Sequence, residues 1–184
     1  MFNEQKLTEK FLEDATLTSE WIQKAIEFGK THEDFDLNKL KIMNVKQIDY
    51  LIFFEKYFED LESAILFVWN SGYNSTQFEV IISALNEGVD FNWITANLNK
   101  DIPYAKMNWI LAGIKDGYET FKDKKYLEYS ADQLQEIYSA IKDEVEYSDY
   151  DNKNVSGKLM QVIRHARAIG LNCKLDNNSL IITE

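Results

Sequence analysis

The 184-residue sequence predicts a mostly α-helical fold: stacked repeats of about 27–30 residues, each a long helix followed by a short one, with a C-terminal helix and a small β-hairpin. Three observations carry this. The chain has a single proline and seven glycines, too little punctuation for a many-turned β-sandwich. Three phrases, SALNEGVDF at 83–91, AGIKDGYET at 112–120 and SAIKDEVEY at 139–147, echo one another. Each closes an apolar stripe spaced i, i+3, i+4, i+7, which is one face of an α-helix.

Along the chain, AIEFG at 25–29 and the segment 45–72, with Ile48, Leu51 and Ile52 opening its stripe, read as degenerate first copies. SAILFVWN within the latter reads as a buried helix face. The first full copy carries Phe78, Ile81, Ile82 and Leu85. The second carries Met107, Ile110, Leu111 and Ile114, and the third Leu134, Ile137, Tyr138 and Ile141. Corresponding positions lie 29 and then 27 residues apart. Ala84, Gly113 and Ala140 put a small residue on the flank of each stripe, where helices can approach closely.

Thr76 with Glu79, and Ser130 with Gln133, have the spacing of capping boxes, in which each side chain satisfies a backbone N–H at the helix start. Pro103 suits a first turn, where its missing N–H costs nothing. Gly88 and Gly117 suit the left-handed position after a helix end; the third copy has Glu144 there, so its ending is expected to differ. VDFNWITANL, YETFKDKKYL and VEYSDYDN then follow as short helices or turns. Such a unit cannot bury its own apolar face, and stacking neighbours does so.

At about residue 150 the rhythm breaks, which divides the chain into a repeat array, 1–150, and a C-terminal cap, 151–184. VSGKLMQVIRHARAIG places Leu159, Val162, Ile163, Ala166 and Ile169 on one helical face and Gly170 at its end. NCKLDNNSLIITE reads as two short strands about the turn-prone pair Asn177-Asn178.

Charge follows the same division. The net charge is −11; residues 1–150 hold 28 acids against 15 lysines, −13, and residues 151–184 hold 3 acids against 5 lysines and arginines, +2. The body therefore repels nucleic acid, whose binding depends on phosphate neutralisation. Cys173 is the only cysteine, so no disulfide framework or thiolate cluster is available, and a reducing cytoplasmic setting is expected. The first residues, MFNEQKLTEKFLED, have no apolar core of a signal or transit peptide. No apolar run approaches the ~18 residues of a membrane helix.

Catalytic and metal motifs are lacking. His32, in KTHEDFD, reads as a surface residue of a polar loop, and His165 as a surface or partner-contact residue. Ser156-Gly157-Lys158 is the back half of a phosphate loop whose front glycine is replaced by Asn152. DYDNKN has the opening acids of a calcium loop, but Asn154 and Met160 stand where its glycine and bidentate glutamate belong. No enzyme, metal or cofactor is expected.

Two charged clusters remain as candidate sites. Asp143, Glu144, Glu146, Asp149 and Asp151, interleaved with Tyr147 and Tyr150, have the composition of a partner-binding patch, because tyrosine is enriched at interface hot spots. Its bland counterpart is a solvated edge between repeats. Glu33, Asp34 and Asp36, and Glu59, Asp60 and Glu62, form smaller acidic groups. Lys158, Arg164, Arg167 and Lys174 are an alternative nucleic-acid-binding set on the helix and hairpin, or else a basic cap that matches the acidic body.

The phrase YNSTQFEVIISALNEGVDF, with its echoes at 104–121 and 129–147, resembles a short α-helical repeat common in proteins of Firmicutes phages and mobile elements, covering about residues 73–150. That pattern runs Tyr, Gln-Met, Ile, Gly-Leu, Gly-Val-Asp. This chain departs from it with Gln77-Phe78, Lys106-Met107 and Gln133-Leu134, and with Ala84-Leu85, Gly113-Ile114 and Ala140-Ile141. The resemblance brings no catalytic residue. It implies a setting in which small acidic proteins inhibit host defences, including anti-CRISPR and anti-restriction inhibitors. The partner expected is then a protein, such as a host RNA-guided nuclease, whose basic channel a row of carboxylates could occupy in place of nucleic acid.

Overall fold

Residues 3–176 and 179–182 are described by a computed structural model, in which the chain is mostly helical and ends in a two-stranded antiparallel hairpin. It divides into two compact units, Met1–Phe78 and Glu79–Glu184. Residues 150 and 151, where the repeat rhythm breaks, both lie inside the second unit, in which the C-terminal helix packs on the third copy of the repeat.

The first unit contains α1 (Glu4–Leu12), α2 (Ser19–Thr31), α3 (Val45–Phe54), α4 (Leu61–Asn70) and the start of α5 (Ser75–Asn86). Its starts are capped by side chains: Thr18 accepts from Trp21 N–H, Asn44 and Gln47 form a capping box, and Asp60 accepts from Ser63 N–H. Phe54, Phe67, Tyr73 and Phe78 meet ring to ring, with Phe54–Phe78 centroids 5.6 Å apart, and Trp21 donates its indole N–H to Met43 O at 2.9 Å in the interior. Ile48 and Leu51 are buried, but Ile52 faces out, because the stripe of α3 is narrower than its apolar residues. On α4 only Ala64, Ile65 and Val68 are buried; Leu66 and Trp69 are exposed, so SAILFVWN is apolar on both faces and buried on one.

His32 opens the loop after α2, but its ring is packed and only partly exposed rather than on the surface. It caps the end of α2, stacks on Phe28 with centroids 4.1 Å apart, and reaches Glu55 through Nε2 at 3.1 Å. The polar letters around it hid a packed position, since the aromatic partner lies one turn back on the helix.

In the second unit follow α6 (Phe91–Asn97), α7 (Tyr104–Lys115), α8 (Ala131–Lys142), α9 (Gly157–Ala168), β1 (Cys173–Asp176) and β2 (Ser179–Ile182). Helix α7 packs on α8, and α8 on α9. Of the three short segments, the first is an α-helix and the second a pair of 3-10 turns at Glu119–Lys122 and Lys124–Glu128; the third forms turns without a helix. β1 and β2 pair from Cys173↔Ile182 to Asp176↔Ser179. The Asn177-Asn178 pair lies outside the described residues.

The starts and stops of the long helices keep one register, and α9 belongs to it. Helices α5, α7, α8 and α9 begin after residues 74, 103, 130 and 156, which are 29, 27 and 26 residues apart. Asn74 and Gln77 exchange the two bonds of a capping box, as Ser130 and Gln133 do. This replaces the Thr76/Glu79 pair that the spacing suggested, because Thr76 already lies within the helix. Pro103 takes the cap position itself, with extended ψ and no side-chain bond.

All four helices stop alike. Gly88, Gly117, Glu144 and Gly170 have φ of 92°, 82°, 55° and 84°. Each donates to the carbonyl three residues back, and the next residue donates to the carbonyl five back: Val89 to Ala84, Tyr118 to Gly113, Val145 to Ala140 and Leu171 to Ala166, at 2.9–3.0 Å. These are Schellman closures. The third copy therefore ends like the others, with Glu144 forced into a conformation that glycine adopts freely. Replacing Glu144 by Gly is expected to raise the unfolding free energy by about 1 kcal/mol, checked by urea denaturation.

Aligned by these signals, the fourth stripe is Met160, Ile163, Arg164 and Arg167, and its small residue is Ala166. Met160, Ile163 and Ala166 are buried as the register requires, whereas Val162 and Ile169, assigned to the buried face from periodicity alone, are 44% and 77% exposed. Gly157, the glycine of the Ser-Gly-Lys fragment, allows the start of α9 to lie against α8: a Cβ there would stand 2.8 Å from Asp132 Cβ.

Candidate functional site

Both charged clusters singled out in the sequence meet at the α8–α9 junction. Position 164 of the fourth stripe faces α8, so an arginine there must bring its guanidinium against that helix. Arg164 Nε donates to Glu136 Oε2 at 2.9 Å and Nη1 to Asp143 Oδ2 at 2.7 Å. The Arg164 and Glu136 side chains are 13% and 6% exposed, which makes this pair nearly interior.

One turn on, Arg167 grips Asp149 with two parallel bonds of 2.8 and 2.7 Å, the bidentate geometry that a planar guanidinium fits. Its remaining N–H groups donate to Glu146 O at 2.6 Å and Cys173 O at 2.8 Å, and its plane lies 5.6 Å from the Tyr150 ring centroid. This side chain thus ties the turn after α8, the end of α9 and β1 into one knot. Hydrogen bonding from Arg167 is the main reason the Asp149 carboxyl is held below the usual carboxylate range.

A group whose folded pKa is depressed contributes stability above its unfolded value of about 4, and that contribution disappears as pH falls through the lower folded value. The unit should accordingly weaken on acidification from pH ~5 downward. An Asp149→Asn chain is expected to be less stable at neutral pH and to show a shallower acid limb, read from thermal melts across that range.

The other acids divide by use. Asp151 Oδ2 accepts from Lys125 Nζ and from Tyr126 OH, both at 2.7 Å; burial, reinforced by this carboxylate, pushes the Tyr126 phenol well up. Glu146 caps the turn by accepting from Tyr147 and Ser148 N–H. Tyr150 is fully buried and Tyr147 half-buried, so the aromatics of this cluster serve the core more than the surface. Glu144 projects into solvent with no role in these pairs. Asp149 and Asp151 point to different cations, so the run resembling a calcium loop does not converge. Among the described residues no three His, Cys, Asp or Glu side chains gather as a metal would need.

On the basic side, Lys158 and Lys174 are exposed, while Arg164 and Arg167 are enclosed. His165 is exposed beside Arg164. Cys173 is buried with its thiol near Ile163 O.

One working residue was not singled out from the sequence, and two others do more than their repeat positions suggested. Glu136 is the buried partner of Arg164. Gln133, besides its capping bond, donates to Lys153 O and Val155 O, pinning the connector that leads to α9. Lys106, which holds the register position of Gln133 one copy earlier, donates its Nζ to Leu127 O in the preceding connector. The signal lies in the repeat itself: Lys106 and Gln133 each stand three places after a cap, and each meets a connector carbonyl about 20 residues on.

In the second unit a cleft of about 470 Å³ opens between the ends of α8 and α9, lined by Glu144, Glu146, Arg167, Leu171 and Cys173. No helix among the described residues is long and apolar enough to cross a membrane. Comparison with protein-family models, with curated proteins and with solved structures finds no match in any of the three.

Proposed function

We propose that this chain is a non-enzymatic protein-interaction module, in its most concrete form an inhibitor carried by a phage or mobile element. In that reading it acts in the host cytoplasm on a nucleic-acid-handling enzyme, such as an RNA-guided or restriction nuclease. Its acidic surface then competes with nucleic acid for a basic channel, and complementary potentials speed the encounter. The observation that carries this reading is the enclosure of both arginines by the chain's own acids. It removes the strongest cations from the surface of a protein with net charge −11.

The acids free to act are fewer than composition suggests. Asp143, Asp149 and Asp151 are committed to internal pairs, Asp36 and Asp60 to helix caps, and Glu62 lies near Lys39. Glu33, Asp34 and Glu59 in the first unit, and Glu144 in the second, are exposed. Purified protein is expected to block DNA binding by the target nuclease, less so at high salt. Reversing Glu33, Asp34 and Glu59 to Lys together, or Glu144 alone, separates the two surfaces. Inhibition unchanged by both sets would remove charge mimicry from the proposal.

The alternative, a DNA-binding regulator using α9 and the hairpin, needs its arginines available to phosphate, and only Lys158 and Lys174 of that set are exposed. A gel shift abolished by Lys158→Ala with Lys174→Ala would favour it.

A further inference from the structure

We infer that α1 is a detachable strap: it leaves α2 as a whole helix while α2 and α3 stay folded, and its departure uncovers an apolar face of α2. Burial is the first observation. Phe11 is the one buried side chain of α1, whereas α2 buries six residues and α3 four. The Phe11 ring stands edge-on to Trp21 with centroids 5.5 Å apart, and Lys41 Nζ lies 5.8 Å from its centre. Leu7 and Thr8 are half-buried, and Leu12 is 63% exposed.

The second observation is that clefts border Phe11 on both sides. One of about 360 Å³ runs between α1 and α2, lined by Thr8, Leu12, Ile22 and Ile26. Another of about 580 Å³ is lined by Leu7, Lys10, Phe35 and Leu37. The closely packed contact is thus a narrow row through Phe11.

Ions rather than packing hold the ends. Glu4 pairs with Lys30 at 3.1 Å, and Asp14, just past the helix, pairs with Lys41 at 2.7 Å. These four side chains are 29–54% exposed, where an ion pair contributes little and salt screens it.

A helix of nine residues is not stable alone, so α1 loses its helical structure in one step once Phe11 leaves its site. That step bares Trp21, Ile22 and Ile26, which are 4–6% exposed while α1 is in place. Helix α2 keeps its own hold, because it packs on α3 and the Trp21 indole N–H remains bonded to Met43 O. Local opening therefore does not require the rest of the first unit to unfold, and α1 controls access to the face beneath it.

The test is native-state hydrogen exchange of the full chain, followed by NMR. The N–H groups of residues 8–12 should share one protection factor, roughly a hundredfold or more below those of α2 and α3. Phe11→Ala should bring residues 8–12 close to unprotected exchange and raise the fluorescence of added anilinonaphthalene sulfonate, with α2 and α3 still protected. Wild-type protection of α1 equal to that of α2 and α3 overturns the inference, since α1 then opens only with the whole unit. So does protection that rises steadily from the Glu4 end toward Phe11, which is fraying and not detachment. A Phe11→Ala chain in which α2 and α3 lose protection together with α1 overturns it as well.

Discussion

Replacing Arg164 by Ala should lower the unfolding free energy by about 3 kcal/mol, because it strands the buried Glu136 carboxylate without a partner. Glu136 is 6% exposed and, among the described residues, Arg164 is the cation that pairs with it, so water cannot take over the lost bond without opening the α8–α9 seam. An ordinary exposed ion pair would cost less than about 1 kcal/mol.

The repeat register also predicts a rescue. The position of Arg164 is Leu111 two copies earlier, and the position of Glu136 is Val162 one copy later. Combining Arg164→Leu with Glu136→Val should return stability to within about 1 kcal/mol of wild type, since a buried ion pair and a packed apolar pair are often close in net worth. Urea unfolding of the four chains of the double-mutant cycle measures this. A loss below about 1 kcal/mol in Arg164→Ala would mean the pair is solvated and the seam is not held by it.

Gly113→Ala should destabilise the second unit by roughly 1–3 kcal/mol, although the same change in an exposed helix gains about 1 kcal/mol. A Cβ on Gly113 would stand 2.3 Å from Cγ and Cδ2 of Phe121, a buried ring stacked on Tyr126 with centroids 5.4 Å apart. The ring sits in the core and has no solvent side to move toward. Phe121→Leu in the same chain should recover part of the loss, with thermal melts of the three variants as the readout. A Gly113→Ala protein as stable as wild type would show that the 3-10 segment at 119–122 is free to shift away from α7.

Much of the helical layout was legible because its signals are local. The apolar stripes, the capping box at Ser130 and the glycine stops at 88, 117 and 170 each depend on residues within one or two turns. Where reading failed, two local signals competed. Thr76 and Glu79 have capping-box spacing, yet Asn74 starts the helix one residue before Ser75 and takes the cap first. His32 lies among polar letters, but its ring stacks on Phe28, one turn back.

The candidate sites were legible as composition and not as use. Sequence places acids at 143–151 and arginines at 164 and 167, and it leaves open whether they face solvent or one another. Treating the helix at 157–168 as a break in the rhythm concealed the deciding fact: both arginines stand at stripe positions, where a side chain must face the preceding copy.

By itself, the sequence determined helix content, repeat length, the stops of α5 and α7 and the start of α8, because caps, stripes and left-handed glycines are satisfied within a few residues of chain. Tertiary structure alone decided that α9 is the fourth copy, that Glu136 is buried and that Arg167 knots three segments together. Those outcomes depend on which surfaces meet across 18 to 28 residues of chain. A charge buried in such a meeting has no signature in its immediate neighbours.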